Sequence, residues 1–212
     1  MFPLGGVLLP SIYLPLHVFE LRYRELVQVC LDGDQEFGVV LIERGSEVGG
    51  GDQRVDVGTV AQIVEAAQMP DGRWALGTVG TRRIRVREWL VDDPYPRAEV
   101  DDWPEPEIDE ATTAELTASI AELMTSLRRV LAGRAELGDS AAPATIELTD
   151  DPVLASYQAT AVAPLGPADQ QRLLEEPDAA GRIARLAELL DEEETFLAQR
   201  LALESEDPPD QP

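Results

Sequence analysis

The 212-residue sequence predicts an α+β protein: a small curled β-barrel with one early helix, then an α-helical bundle whose first helix is long. Three observations carry this. Short apolar runs separated by Gly and Pro turns fill the first hundred residues; a seam of proline and acid, DDWPEPEIDE, follows at 101–110; beyond it apolar residues recur at steps of three and four. The expected segments are 1–104 for the barrel, 108–204 for the helices and 205–212 for a disordered acidic tail.

In the barrel half, Val7, Leu8 and Leu9 read as a short strand, followed by an extended stretch with Pro10, Ile12, Leu14, Pro15 and Leu16. A helix is expected from near His17. On it Phe19, Tyr23, Leu26 with Val27, and Cys30 with Leu31 form one buried face, Glu20 pairs with Arg24 outside, and Gly33 supplies the stop. The continuous apolar run FGVVLI (37–42) predicts a buried central strand. Residues 46–56 read as a surface loop, because Gly49, Gly50 and Gly51 lack the GK[ST] ending and the following helix of a phosphate cradle. A strand over 58–69 turns at Pro70, Asp71 and Gly72 and returns over 73–79. Gly80 and Thr81 are expected to turn the chain again into 82–90, where Ile84 and Val86 alternate with Arg83, Arg85 and Arg87 to give one core face and one cationic face. Residues 95–100 form the last strand, and Pro94 and Pro96 suit an edge.

In the helical half, Thr112 with Glu115 has the spacing of a capping box, and Leu116, Ile120, Leu123, Leu127, Val130 and Leu131 keep helical spacing up to Gly133 and Gly138. After a connection over 135–150, Asp151 caps and Pro152 starts a second helix through Leu154, Tyr157, Thr160 and Ala161. Pro167 opens a short third helix that ends at Leu173 and Leu174. Ile183, Leu186, Leu189, Leu190, Phe196, Leu197 and Leu201 stripe a long last one.

The net charge of -24 is unevenly spread: residues 1–100 hold 15 acids against 10 arginines, and 101–212 hold 26 against 7. Such a field disfavours nucleic acid and anionic lipid as partners. All 17 basic residues are arginine, which excludes a Ser-Lys dyad, a P-loop lysine and any Schiff base. His17 is the only histidine, and no GxSxG accompanies it, so packing is favoured over a metal site or a triad. Cys30, the single cysteine, falls on the apolar helix face and is expected to pack. The acids at 191–194 and 204–207 lack the D-x-D-x-D-G ladder of a calcium loop and read as a solvated face. No cofactor and no metal is expected. No apolar run approaches the roughly 20 residues of a membrane span, and no leader pattern opens the chain; the expected location is the cytoplasm.

FPLGGVLLP (2–10), LPLHVFELRYREL (14–26), FGVVLI (37–42), VGTVAQI (57–63), GTRRIRV (80–86), YPRAEV (95–100) and the helical stretch 151–197 together resemble the Lon protease amino-terminal (substrate-binding) domain, in its free-standing form without the ATPase and protease domains. The resemblance implies a PUA-like barrel, no catalysis, and recognition of exposed, unfolded or flexible polypeptide segments in a groove between barrel and helices. It leaves two alternatives: an adaptor for a separate ATP-dependent protease or chaperone, and an RNA-binding PUA-like protein reading RNA through 82–87. Trp89, Tyr95 and Trp103 near the domain junction are candidate peptide contacts, with Arg83 and Arg85 to grip a carboxylate or carbonyl. Core packing and pairing with the chain's carboxylates are the competing roles for all five.

Overall fold

The computed structural model describes residues 1–47, 51–139 and 147–206. It contains six strands, β1 (Phe2–Leu4), β2 (Tyr13–Val18), β3 (Glu36–Arg44), β4 (Gln53–Gln68), β5 (Trp74–Leu90) and β6 (Arg97–Asp102), and five helices, α1 (Leu21–Leu31), α2 (Glu110–Glu136), α3 (Pro152–Val162), α4 (Pro167–Leu174) and α5 (Ala179–Glu206). The chain divides into two compact units, Met1–Glu105 with Pro167–Glu175, and Pro106–Gly166 with Glu176–Pro212. Helix α4, expected within the helical segment 108–204, is thus counted with the sheet. Residues 205 and 206 of the expected tail end α5, and 207–212 lie outside the described residues, as do Gly49 and Gly50 of the expected loop.

In the first unit the strands pair in the order β1-β3-β4-β5-β2, with β6 also on β5. The β1–β3 pair is parallel and the others are antiparallel. Among the described residues these pairings form an open path, and no pairing of β1 with β2 closes it into the expected barrel. The long strand β5 organises the sheet: one edge pairs along β4, while the other takes β2 at residues 74–79 and β6 at 84–90.

This continuity corrects the expected turn at Gly80 and Thr81. The strand continues through both, with a register shift against β4 between Gly80 and Arg83, and Gly80 is needed for a close crossing. A Cβ there would run into the Leu9 carbonyl oxygen, and the Gly80 carbonyl accepts from the Ser11 N–H at 2.8 Å while its N–H donates to the Ile12 carbonyl at 2.9 Å. The segment holding Leu8 and Leu9 is buried but irregular, so the strand expected at 7–9 is absent, and β1 lies earlier. At Gly72 the expected hairpin turn forms, with φ of 81° and the Met69 N–H donating to the Arg73 carbonyl at 2.8 Å.

The expected helix start near His17 is also corrected. Residues 13–18 alternate: Tyr13, Pro15 and His17 are exposed, whereas Leu16 and Val18 are buried and Leu14 packs against the core, which is the period of a strand. Glu20 caps α1 in extended conformation, so Phe19 lies before the helix and is exposed. The Glu20 carboxylate takes Arg22 at 3.1 Å rather than Arg24. At the other end Asp32, not Gly33, is the cap, and Gln35 supplies the left-handed residue at φ of 60°. Tyr23, Leu26, Val27 and Cys30 do form the buried face of α1, against Phe2, Leu8, Leu16, Phe37, Ala61 and Leu76. The Phe2 ring stacks on Tyr23 at 4.3 Å. Burial pushes the Tyr23 hydroxyl up to about 12 and raises the Cys30 thiol as well, and that thiol donates to the Glu36 carbonyl at 3.2 Å.

In the second unit, the N-cap of α2 is Asp109 rather than Thr112: its carboxylate accepts the Thr112 N–H at 2.8 Å and is held below the usual carboxylate range by that bond. Leu116, Leu123, Leu127, Val130 and Leu131 are buried on α2, as are Ile183, Leu186, Leu190 and Leu197 on α5. Phe196, expected on the apolar stripe of α5, is exposed, because neighbouring Leu197 takes the inward position. Asp151 caps α3 through the Val153 and Leu154 N–H groups. At the centre of this unit lies the fully buried Arg182, which donates to Ser156 Oγ and Tyr157 Oη, each at 2.8 Å, and stacks 3.6 Å from the Tyr157 ring.

The crossing at Gly80 makes a testable contrast. Gly80→Ala is expected to cost about 1–3 kcal/mol in urea unfolding, the range for forcing atoms into a packed site. Gly6→Ala, with nothing near its missing Cβ, should leave the midpoint nearly unchanged.

Candidate functional site

The first unit brings three of the five sequence-derived candidates together. Trp103 follows β6, and its N–H donates to the Arg83 carbonyl at 2.9 Å. That bond sets the indole against two guanidiniums, with Arg83 at 4.3 Å and Arg85 at 4.0 Å from the ring. The two arginines differ in role. Arg83 is only 2% exposed; it pairs with Glu105 at 2.8 Å and donates to the Leu174 carbonyl at 3.0 Å, capping the last turn of α4. Gln171 ties the same helix to the sheet by donating to the Val57 carbonyl at 3.1 Å. Arg85 is exposed.

The other two candidates lie elsewhere. Trp89 donates its indole N–H to Asp56 at 3.0 Å beneath Arg54, which is itself held by Asp52 at 2.5 Å and Asp92 at 2.7 Å. Tyr95 is half-buried against the apolar core.

The expected cationic face of 82–87 is largely neutralised. Arg82 pairs with Glu36 at 2.9 Å and Asp102 at 3.0 Å, and Arg87 pairs with Asp101. Arg83 departs from the simple alternation because α4 covers it, so it is buried together with its neighbour Ile84. Strand position alone places 83, 85 and 87 on one face; the helix that buries the first of them comes from residue 167 onward.

A different surface of this unit carries the uncompensated apolar area. Around β2, Tyr13 is 52% exposed, Phe19 55% and Leu21 72%. Pro15, Leu16 and His17 separate two cavities. One, of about 180 Å³, is lined by Phe2, Leu4, Phe19 and Tyr23. The other, of about 290 Å³, has Tyr13 and Glu65 as walls over a floor of Ala75 and Gly77, and the Tyr13 hydroxyl overhangs Gly77. A concave, largely apolar surface with three carboxylates on its walls, Glu20 and Glu47 in one cavity and Glu65 in the other, is suited to accepting side chains, and it offers no nucleophile-base pair. The alternation of LPLHV was the signal that marks Tyr13, Pro15 and His17 as outward, and reading the stretch as helix hides it.

Among the described residues no group of three His, Cys, Asp or Glu side chains could hold a metal ion, and no helix is long and apolar enough to cross a membrane.

Replacing the buried Arg83 removes its ion pair with Glu105 and its bond to the Leu174 carbonyl at the end of α4. Arg83→Ala is expected to destabilise by about 3 kcal/mol or more, and Arg85→Ala by less than about 0.5 kcal/mol, as read by denaturant midpoints.

Residues 1–192 match the family model described as the ATP-dependent protease La (LON) substrate-binding domain. The chain is 27% identical over 192 residues to Lon protease 2 of Herpetosiphon aurantiacus, covering 90% of this chain and 23% of that protein. It is 29% identical over 191 residues to Lon protease of Cytophaga hutchinsonii, again covering 23% of the relative. The chain therefore spans about a quarter of the length of these relatives. Among solved structures, a Lon N-terminal domain protein from Xanthomonas campestris aligns with a TM-score of 0.60 at 28% identity, over 87% of this chain and 94% of that one. The N-terminal domain of Mycobacterium avium complex Lon protease shares the fold, with a TM-score of 0.61 at 21% identity, over 89% of this chain and 96% of that one.

Proposed function

Because the chain belongs to the ATP-dependent protease La (LON) substrate-binding domain family, we propose that it binds exposed polypeptide segments for a proteolytic partner and performs no chemistry of its own. One observation carries the choice of surface: Tyr13, Phe19 and Leu21 stand exposed around β2, beside two cavities sized for side chains. Folded proteins rarely leave several large apolar groups together in water without a partner to cover them. An unstructured segment brings aromatic and aliphatic side chains to fill the cavities, and the hydrophobic effect gains from both sides. Glu65 at the cavity wall favours segments with a basic residue or a free N–H close to the apolar anchor.

Arg85 over Trp103 supplies a secondary contact in this reading, a guanidinium held flat and open to a carbonyl or carboxylate. Arg83, Trp89 and Tyr95 serve the fold instead. The same reading takes the curled sheet as a PUA-like barrel and α2, α3 and α5 as a bundle, acting in the cytoplasm. Neutralisation of Arg82 and Arg87 by neighbouring carboxylates weighs against RNA.

The test is fluorescence anisotropy of unstructured peptides, apolar-rich and apolar-poor, at low and moderate salt. The apolar-rich peptides should bind and keep most of their affinity as salt rises. Tyr13→Ala with Phe19→Ala should weaken them about tenfold or more, with melting unchanged. Equal affinity in the double variant would remove this surface, and binding to single-stranded RNA that collapses with salt would replace the reading.

A further inference from the structure

Within the second unit, α2 and α5 run in the same direction and differ in how they close along their length. Toward their C-terminal ends Gly133 lies against Leu197, Arg129 pairs with Glu194 at 3.0 Å, and Arg134 pairs with Glu193 at 2.6 Å. Toward their N-terminal ends the two helices line a groove of about 460 Å³. Its floor is apolar, from Leu116 on α2 and Ile183 on α5, and its walls are small, from Ser119 and Ala184. Small walls let a third helix approach to the usual interaxial distance of about 8–10 Å without displacing anything.

The charge of the groove is one-sided. Glu115 and Glu122 line it, no arginine does, and neither carboxylate has an ion pair among the described residues. The lower half of the same helix pair is cross-linked by arginine, so the upper half shows what an arginine-poor groove leaves unmet. Glu115, Ser119 and Glu122 are also spaced four and three residues apart, a row that a helix laid alongside meets on successive turns.

We propose that this groove docks an amphipathic helix of a partner protein, one whose contact face is small or aliphatic and is flanked by Lys or Arg. The small walls and apolar floor provide close packing, and the carboxylates set partner choice and speed of encounter more than affinity. A second copy of the chain is the wrong partner electrostatically, since each copy carries a net charge of -24. The proposal rests on the second unit alone and stands apart from the polypeptide-binding surface of the first.

The experiment titrates the full chain with two synthetic amphipathic helical peptides sharing one Ala/Leu face, the first flanked by Lys and the second by Glu, and follows backbone amides by NMR. The Lys peptide should shift amides within 112–126 and 180–187, and the Glu peptide should bind at least about tenfold more weakly. Ser119→Trp and Ala184→Trp fill the groove without changing charge, and each should cost about tenfold in affinity at unchanged helicity. If the Lys peptide is held only by the general negative charge, both Trp variants will match the parent and the proposal fails. Absence of Lys-peptide binding overturns it too, as does self-association in sedimentation that the Trp variants abolish, which would assign the groove to a second copy. Should both Trp variants unfold, Glu115→Gln with Glu122→Gln is read instead: a several-fold loss supports the groove, and unchanged affinity rejects it.

Discussion

The sheet of the first unit depends on one close contact between backbones, where the chain at Leu9 to Ile12 crosses β5 at Gly80. Hydrogen bonds from both sides of that glycine hold the crossing, and only a residue without a Cβ leaves room for the Leu9 carbonyl. Because the crossing is there, β5 continues for 17 residues instead of folding back, and its outer edge has length enough for both β2 and β6. The position of β2 then fixes which way Tyr13, Pro15 and His17 face. The exposed apolar surface around β2 is thus a consequence of a steric allowance on the neighbouring strand.

Arginine does the work of connection throughout this chain. With no lysine and an excess of acid, most of the described guanidiniums pair with a carboxylate, and the planar fork can satisfy two partners at once. Arg83 joins Glu105 to the end of α4, Arg82 bridges β3 and β6, Arg54 joins Asp52 to Asp92, and Arg182 holds α3 through Ser156 and Tyr157. The cations being committed in this way, the acidic surplus stays on the surface. The α2–α5 groove, where two carboxylates face no arginine, follows from that imbalance.

Much of the fold was legible. The apolar run of β3, the Pro70–Gly72 turn, the stripes of α2 and, Phe196 apart, of α5, and the Asp151 cap all rest on local chemistry, and they form where their residues predict. The errors share a physical cause. At Gly80 the local signal of a glycine does not distinguish a reversal from a close approach. Over residues 17–19 steps of three and four can be found in a stretch whose alternation is also strand-like. Of the site, the Arg83, Arg85 and Trp103 cluster was visible as residue types, but not the burial that separates Arg83 from Arg85.

What the sequence by itself determined was β3, β4, β6 and the presence of the five helices, the change from sheet to helix near residue 105, the acidic surface and the exclusion of lysine chemistry, because each follows from residue type and spacing along the chain. Tertiary structure decided the rest: that α4 packs with the sheet, that β5 is continuous, that Phe19 and Phe196 stay in water while Arg83 does not, and that α2 and α5 line a groove at one end. These depend on which distant segments meet. Burial and charge compensation belong to pairs of residues far apart in the chain, such as Arg83 with Leu174, and no local pattern encodes a pair.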